Sequence, residues 1–249
     1  MAGFAHSMIV VLLLFICNVS LIQGRPGENI EVLNHADVNR YPDCTSLLKA
    51  GYNVSGVYRL TLNNTDFRLS CEFIDGTAFT VIVRRWSNSI SFIQTWATYE
   101  NGFGNPADNY WAGLGVIYLL ALQGNNRLQI NMQDWSGNSK NAVYSGFYLE
   151  DRTTRYRLHV GPYQGTLPDE LSYHNNMPFS TVDAPDPQGC AANMKAGWWY
   201  NYCAYTLPTG IYYTGGWYTP SGTMYDGIYW KDWYGYNYSL KFFSMTISP

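Results

Sequence analysis

Hydrophobic and polar residues alternate along several short segments of this chain, and a period of two is typical of strands. Gly56–Leu62 and the following FRLSCEF segment alternate in this way, and residues 63–66 between them predict a turn. Ala78–Trp86 is rich in β-branched and aromatic residues, which predicts a buried strand. Three further segments, RLQINMQDW, AVYSGFYLE and RYRLHVG, and a final one at Tyr238–Ile247 favour a twisted antiparallel sheet.

Helical patterns are few and short. Thr45–Gly51 predicts a helix with a glycine stop, Ser91–Gly104 a helical stretch with a glycine turn, and Tyr110–Gln123 a helix in its second half. Beyond Gly161 the regular pattern fades for about 75 residues, a length at which loops are usually functional or tied down. The sequence therefore predicts an α+β domain with a sheet core and a long functional loop region.

The first 24 residues carry no Asp, Glu, Lys or Arg. Within them Ile9–Cys17 is an unbroken apolar run, about half the length of a membrane-spanning helix but suited to a secretory signal. We predict a cleaved signal peptide at residues 1–24, with a retained anchor as the alternative, and a short polar leader at residues 25–42. No later stretch reaches membrane length, so we expect a secreted, extracellular protein.

Four cysteines follow the predicted signal: Cys44, Cys71, Cys190 and Cys203. An even number in an oxidising compartment predicts two disulfides, and four cysteines allow three pairings. Pairing in chain order closes short loops and is the one that we favour, although the sequence alone does not choose. A metal site is the weaker reading, because neither a CxxC spacing nor a nearby pair of histidines occurs.

Three sequons for N-glycosylation fit an extracellular surface, although each could arise by chance in a chain rich in asparagine. Their acceptor residues are Asn53, Asn63 and Asn237.

Aromatic residues outnumber charged ones: 22 Tyr, 9 Trp and 11 Phe make 17% of the chain, against 13% charged. Many aromatic and few charged residues exclude a disordered chain. The net charge is −3 with no basic block, which argues against a nucleic-acid partner. Eleven Tyr and five Trp fall between Trp198 and Tyr238. One reading makes Trp198, Trp199, Trp230 and Trp233 a local core. The candidates for an exposed surface are Tyr202, Tyr205, Trp217, Tyr218, Tyr225, Tyr234 and Tyr236.

The chain from Asp43 to Pro249 resembles the fibrinogen C-terminal domain, found in fibrinogens, ficolins, tachylectins, angiopoietins and tenascins. The motifs that carry the resemblance include Ser55-Gly56-Val57-Tyr58, Gly102-Phe103-Gly104, Asp134-Trp135, Tyr173-His174-Asn175, Phe179-Ser180-Thr181 and Gly197-Trp198-Trp199-Tyr200 between two cysteines. The resemblance implies disulfides paired in chain order, a final strand that returns to the central sheet, and a ligand surface built by the loop region. It also implies a recognition module rather than an enzyme.

The family's calcium loop places two acidic side chains after Phe-Ser-Thr, and this chain departs from that pattern. Asp183 stands at the first ligand position, Pro185 occupies the second, and Asp186 follows one residue late. Calcium takes six to eight oxygen ligands. Two readings stay open: Asp183 and Asp186 share a Ca²⁺ ion, or they are two solvated loop residues.

Lectin members of the family hold acetyl groups with a histidine directly after the second cysteine and with surrounding aromatic residues. Here the histidine position is Ala204 and one aromatic position is Met194, whereas Tyr236 remains and Tyr225 lies near the last wall. In several members the bond before that cysteine is cis, and Tyr202 precedes it here. The candidate ligand-binding residues are Met194, Tyr202, Ala204, Tyr205, Tyr225 and Tyr236.

The resemblance predicts a lectin-like module that binds carbohydrates or pathogen surfaces in innate immunity. The alternative is a ligand for an extracellular protein receptor or a matrix component, as in angiopoietin or tenascin relatives, and a homo-oligomer fits either role. Catalysis is disfavoured, because no HExxH or GxSxG context occurs and the acidic pairs Glu150-Asp151 and Asp169-Glu170 are sequence neighbours.

Overall fold

The computed structural model describes residues 40–249. The predicted signal peptide at 1–24 and all but the last three residues of the leader at 25–42 lie outside the described residues. Within the described range, every helix is too short or too polar to cross a bilayer.

Short helices are interspersed among eleven strands in the described range. The helices are α1 (Cys44–Lys49), α2 (Trp96–Asn101), α3 (Leu114–Leu122) and α4 (Cys190–Met194), with 3-10 turns at Arg152–Thr154 and Ser172–His174. The strands are β1 (Gly56–Leu62), β2 (Thr65–Ile74), β3 (Thr77–Arg85), β4 (Phe103–Gly104), β5 (Tyr110–Trp111), β6 (Arg127–Gln133), β7 (Ser139–Tyr144), β8 (Tyr148–Leu149), β9 (Leu158–His159), β10 (Tyr163–Gly165) and β11 (Phe242–Ser248).

A nine-stranded antiparallel sheet forms the core. Seven of its strands follow the order β1-β2-β3-β11-β6-β7-β10. The small β4–β5 hairpin joins the same sheet through β3. The expected return of the final strand is confirmed, because β11 lies between β3 and β6. The predicted α+β fold with a mainly antiparallel sheet is therefore correct.

The β1–β2 hairpin shows how local sequence sets this architecture. Asn63 and Asn64 form its two-residue turn with φ of 46° and 62°, the left-handed values that a type I′ turn requires and asparagine tolerates. A disulfide joins Cys44 of α1 to Cys71 of β2. Asp43 caps α1 by accepting the Ser46 N–H at 2.7 Å. These contacts fix α1 against the sheet.

Two alternating segments form shorter strands than the sequence predicts. AVYSGFYLE breaks at Gly146, whose φ of 66° turns the chain between β7 and β8. RYRLHVG starts with Arg155 and Tyr156 at φ of 58° and 50°, so only Leu158–His159 is extended. The final strand likewise begins at Phe242 rather than Tyr238, because Tyr238 is bridged to Trp217 instead.

The loop region beyond Gly165 is held by buried aromatic side chains rather than by ladders. Trp198, Trp199 and Trp230 are fully buried, as the core reading predicts, whereas Trp233 is only partly buried. The indole N–H of Trp199 donates to the Tyr156 carbonyl at 2.7 Å, and that of Trp230 donates to Pro168 at 2.9 Å. Indole groups thus satisfy backbone carbonyls that no strand pairs with.

Candidate ligand-binding site

The second disulfide defines one end of the candidate site. It joins Cys190 of α4 to Cys203, so both disulfides pair in chain order as expected. Tyr202 and Cys203 have φ of 44° and 73°, two consecutive left-handed conformations that are unfavourable for side chains other than glycine. Among residues 40–249 no peptide bond is cis, so the bond before Cys203 is trans. This backbone leaves Tyr202 78% exposed.

A stacked pair of tyrosines lies beside this turn. The rings of Tyr173 and Tyr205 are parallel within 7°, with centroids 3.7 Å apart. The ammonium of Lys231 lies 4.1 Å from the Tyr205 ring centroid, a cation–π contact. The Asn201 amide donates to the Tyr173 carbonyl at 2.8 Å, which ties the disulfide loop to this stack.

A second stacked pair extends the surface. Tyr225 and Tyr236 have centroids 5.7 Å apart at 16°, and Tyr229 supports Tyr236 edge-on at 5.3 Å. Tyr229 also donates its hydroxyl to the Ala204 carbonyl at 3.1 Å, next to Tyr205 in the chain, so this pair lies near the first. Burial raises the pKa of Tyr236, and the nearby Lys231 ammonium opposes that rise. We call the combined surface the aromatic platform, made of Tyr173, Tyr202, Tyr205, Tyr225 and Tyr236.

His174 holds the platform from below. Its Nδ1–H donates to the Trp199 carbonyl at 2.6 Å, and its Nε2 accepts the Tyr205 backbone N–H at 3.2 Å. Burial lowers the pKa of His174 to about 4, so the imidazole is neutral at physiological pH and can accept that bond. The histidine is therefore a structural anchor for Tyr205.

Asp226 anchors the loop that carries Tyr225. Its carboxylate is fully buried and accepts hydrogen bonds from the Tyr213 hydroxyl at 3.0 Å and from the Ser221 N–H at 3.1 Å. The Tyr218 ring stacks on Tyr213 with centroids 4.2 Å apart. Tyr218 is therefore mainly a scaffold residue, with its hydroxyl bonded to the Tyr236 carbonyl at 2.8 Å.

The structure does not bring every candidate residue to the surface. Met194 and Ala204 are buried, and the Ala204 carbonyl accepts the Tyr229 hydroxyl at 3.1 Å. Their low exposure leaves little of either side chain open to a ligand, and contact by Met194 and Ala204 stays a prediction. Tyr202 and Tyr225 are exposed and Tyr205 and Tyr236 are partly exposed, so ligand contact by these four stays a prediction.

The candidate calcium loop has a structural use for its second carboxylate. Asp186 is buried, and it accepts the N–H groups of Gln188 and Cys190 on Oδ2 and of Ala191 on Oδ1. It therefore caps α4, and the reading of a solvated residue is wrong for it. Oδ1 of Asp183 accepts the Trp96 N–H and the Thr181 hydroxyl, both at 2.8 Å.

These contacts bear on calcium directly. Both Asp186 oxygens face N–H donors, whose positive ends would repel a cation. The residues present therefore do not fit a calcium site built on both aspartates.

Two further surface features complete the region. Trp217 is 62% exposed and packs against Tyr238 and Tyr234, forming a second aromatic patch. The sequon residues Asn53, Asn63 and Asn237 are all exposed, as attachment of a glycan requires.

Sequence reasoning missed Tyr173 and Lys231. Tyr173 precedes the aromatic-rich window by 25 residues, and Lys231 is a single charge among aromatic neighbours. The Tyr173-His174-Asn175 motif was a usable signal for the first.

The chain is similar to known proteins over most of its length. The family model of the fibrinogen beta and gamma chains, C-terminal globular domain, matches residues 40–249. Human angiopoietin-related protein 6 is 39% identical over 216 residues, covering 85% of this chain and 46% of that protein. Mouse angiopoietin-related protein 2 is 39% identical over 213 residues, covering 83% and 43%. The chain thus spans about half the length of the curated relatives that it matches.

Solved structures of fibrinogen-like domains are also similar to this chain. The fibrinogen-like globe domain of human ANGPTL6 has a TM-score of 0.80 at 39% identity and covers 86% of this chain and 97% of that one. Lamprey fibrin D-dimer, solved with the peptide Gly-His-Arg-Pro-amide, has a TM-score of 0.80 at 30% identity, covering 87% and 76%. With its disulfides, its central final strand and its loop-built surface, the chain belongs to the family of fibrinogen C-terminal globular domains.

Proposed function

We propose that this protein is a secreted, non-catalytic binding protein whose ligand is an extracellular protein, docked on the aromatic platform. The observation that carries the proposal is the exposure of Tyr202 and Tyr225, at 78% and 42%, on a rigid buried base. Tyrosine offers a large contact area at low entropic cost and is enriched in the residues that dominate binding energy.

The base is preorganised in three ways. The Cys190–Cys203 disulfide, the His174 hydrogen bonds and the buried Asp226 carboxylate each fix a different loop of the platform. A surface that is ordered before binding loses less entropy when the partner docks. These features support recognition rather than turnover, because both nitrogens of His174 are engaged in backbone hydrogen bonds.

Support for a protein ligand over a sugar comes from the altered acetyl pocket. The polar histidine of lectin members is replaced by Ala204, whose side chain is buried and supplies no hydrogen bond. Lamprey fibrin D-dimer was solved with a peptide ligand, and angiopoietin-related proteins are similar to this chain along most of its length. We therefore favour the protein-ligand role over the lectin role.

The test compares the wild type and two variants of the secreted protein as baits on extracellular proteins from the source tissue. Tyr202→Ala combined with Tyr225→Ala should weaken binding of the captured partner by about 30-fold, the loss of one strong hot spot. Tyr148→Ala is the matched control, since Tyr148 is 47% exposed on β8.

Glycan competition separates the two roles. Binding that persists in excess free monosaccharides and after the partner is deglycosylated supports a protein ligand. Binding that is lost in either case, or a glycan-array signal abolished by the double variant, would establish the lectin role instead. An equal loss of partner binding in the Tyr148→Ala control would show that the platform is not the docking surface.

A further inference from the structure

Glu170 is a buried carboxyl group beneath the platform. Its side chain is 1% exposed and lies just before the 3-10 turn that carries Tyr173. Oε1 accepts the Asp232 backbone N–H at 3.1 Å, so the carboxyl group joins that turn to the loop of residues 230–235. Both segments contribute side chains to the platform or directly next to it.

Charged and ionisable groups surround this carboxyl group on several sides. The Asp232 carboxylate and the Lys231 ammonium face it from the 230–235 loop, and the phenols of Tyr163, Tyr229 and Tyr236 lie near enough to interact with it. Its neighbour Asp169 is already engaged by the Tyr144 hydroxyl at 2.6 Å and the Ser172 N–H at 3.1 Å. Burial, with a further contribution from the Asp232 charge, raises the pKa of Glu170 to about 7.

Lys231 connects this carboxyl group to the platform. Its backbone N–H donates to the Tyr205 carbonyl at 2.9 Å, and its ammonium lies over the Tyr205 ring at 4.1 Å. The same ammonium pairs with the Asp232 carboxylate at 3.4 Å. A negative charge on Glu170 would attract Lys231 and repel Asp232, and it would therefore weaken both contacts at once.

We propose that Glu170 is a proton-operated positioning residue, whose protonated form keeps Lys231 on Tyr205 and whose ionised form releases it. The platform then differs between mildly acidic and mildly alkaline fluid. The inference rests on the proposed function in taking the platform as the contact surface, but its test needs no ligand. A failure of this inference can therefore be distinguished from a failure of the proposed function.

The test is an NMR titration of the folded protein between about pH 5 and pH 8.5, where the carboxyl group changes state. We expect the Glu170 carboxyl carbon to titrate near neutrality, with the Lys231 ε-methylene and Tyr205 ring signals shifting at the same midpoint. In Glu170→Gln, which keeps the acceptor oxygen without the charge, the Lys231 and Tyr205 shifts should vanish. Asp75→Asn at the exposed β2–β3 turn is the control and should leave them unchanged.

Thermal melting gives an independent readout. Because the folded pKa of Glu170 lies above its unfolded value, its stability contribution is complete at low pH and is lost as pH rises through neutrality. The Glu170→Gln variant should therefore have the same Tm as the wild type near pH 5 and a higher Tm than the wild type near pH 8. A Glu170 midpoint below about pH 5.5, or Tyr205 shifts that survive in Glu170→Gln, would overturn the proposal.

Discussion

Replacing His174 with glutamine should remove a pH-dependent part of the stability of this domain. Protonation of the buried imidazole would abolish the acceptor at Nε2 that holds the Tyr205 N–H. Burial accordingly lowers the pKa of His174 from 6.5 to about 4. The unfolded state therefore binds an extra proton between these values, and the wild type loses stability as pH falls through them. At 1.36 kcal/mol per pKa unit this amounts to about 3 kcal/mol, a large share of a typical total of 5–15 kcal/mol.

Urea unfolding of the wild type and of His174→Gln, from about pH 7.5 down to about pH 4, measures this effect. The wild type should be the more stable protein at the upper end, and the difference in free energy of unfolding should shrink by about 3 kcal/mol toward the lower end. Glu170 titrates in both proteins and cancels in the difference, provided that the two sites do not interact. A difference that stays constant across this range would show that His174 is not held neutral by burial.

Four further outcomes are expected, three for the loop region and one for the predicted glycosylation sites. The double change C190S/C203S should lower the free energy of unfolding by about 3 kcal/mol, because a closed loop with a separation of 13 residues is lost; denaturant unfolding that shows under about 1 kcal/mol would contradict this. Asp186→Asn should lower it by about 1–2 kcal/mol through a weaker cap on α4. Millimolar calcium should leave the Tm unchanged, and a rise would instead establish a calcium site at Asp183. Digestion of protein secreted from cells with an N-glycanase, read by mass spectrometry, should report glycans at exposed sequon residues, and an unmodified mass would contradict this. These residues are Asn53, Asn63 and Asn237.

The central sheet was largely predictable because its strands carry their own signal. The nine residues of β3 are almost entirely buried, and an apolar β-branched run predicts such a strand without any tertiary information. The lengths of β8 and β9 were overestimated, because a single glycine or left-handed residue ends a strand without disturbing the alternation of hydrophobic and polar residues around it. Gly146 and Tyr156 are of this kind.

The platform was only partly predictable because its members come from separate loops. The excess of tyrosine indicated a recognition surface, and Tyr202 and Tyr225 are indeed exposed. Whether a tyrosine faces solvent or a neighbouring loop depends on long-range contacts, as the buried hydroxyl bond of Tyr229 to Ala204 shows. The use of Asp186 as a cap was hidden for the same reason: its partners are backbone amides, which no residue pattern reveals.

The central place of β11 has a consequence for biogenesis. β3 pairs with a strand about 160 residues later in the chain, so the sheet cannot be completed until most of the domain has been synthesised. Until then the facing edges of β3 and β6 lack their shared neighbour, and unpaired edges are templates for aggregation. On the proposal that the protein is secreted, its folding in the secretory pathway should therefore be slow and depend on chaperones. Variants that weaken β11 should then be retained and degraded rather than secreted in a misfolded form.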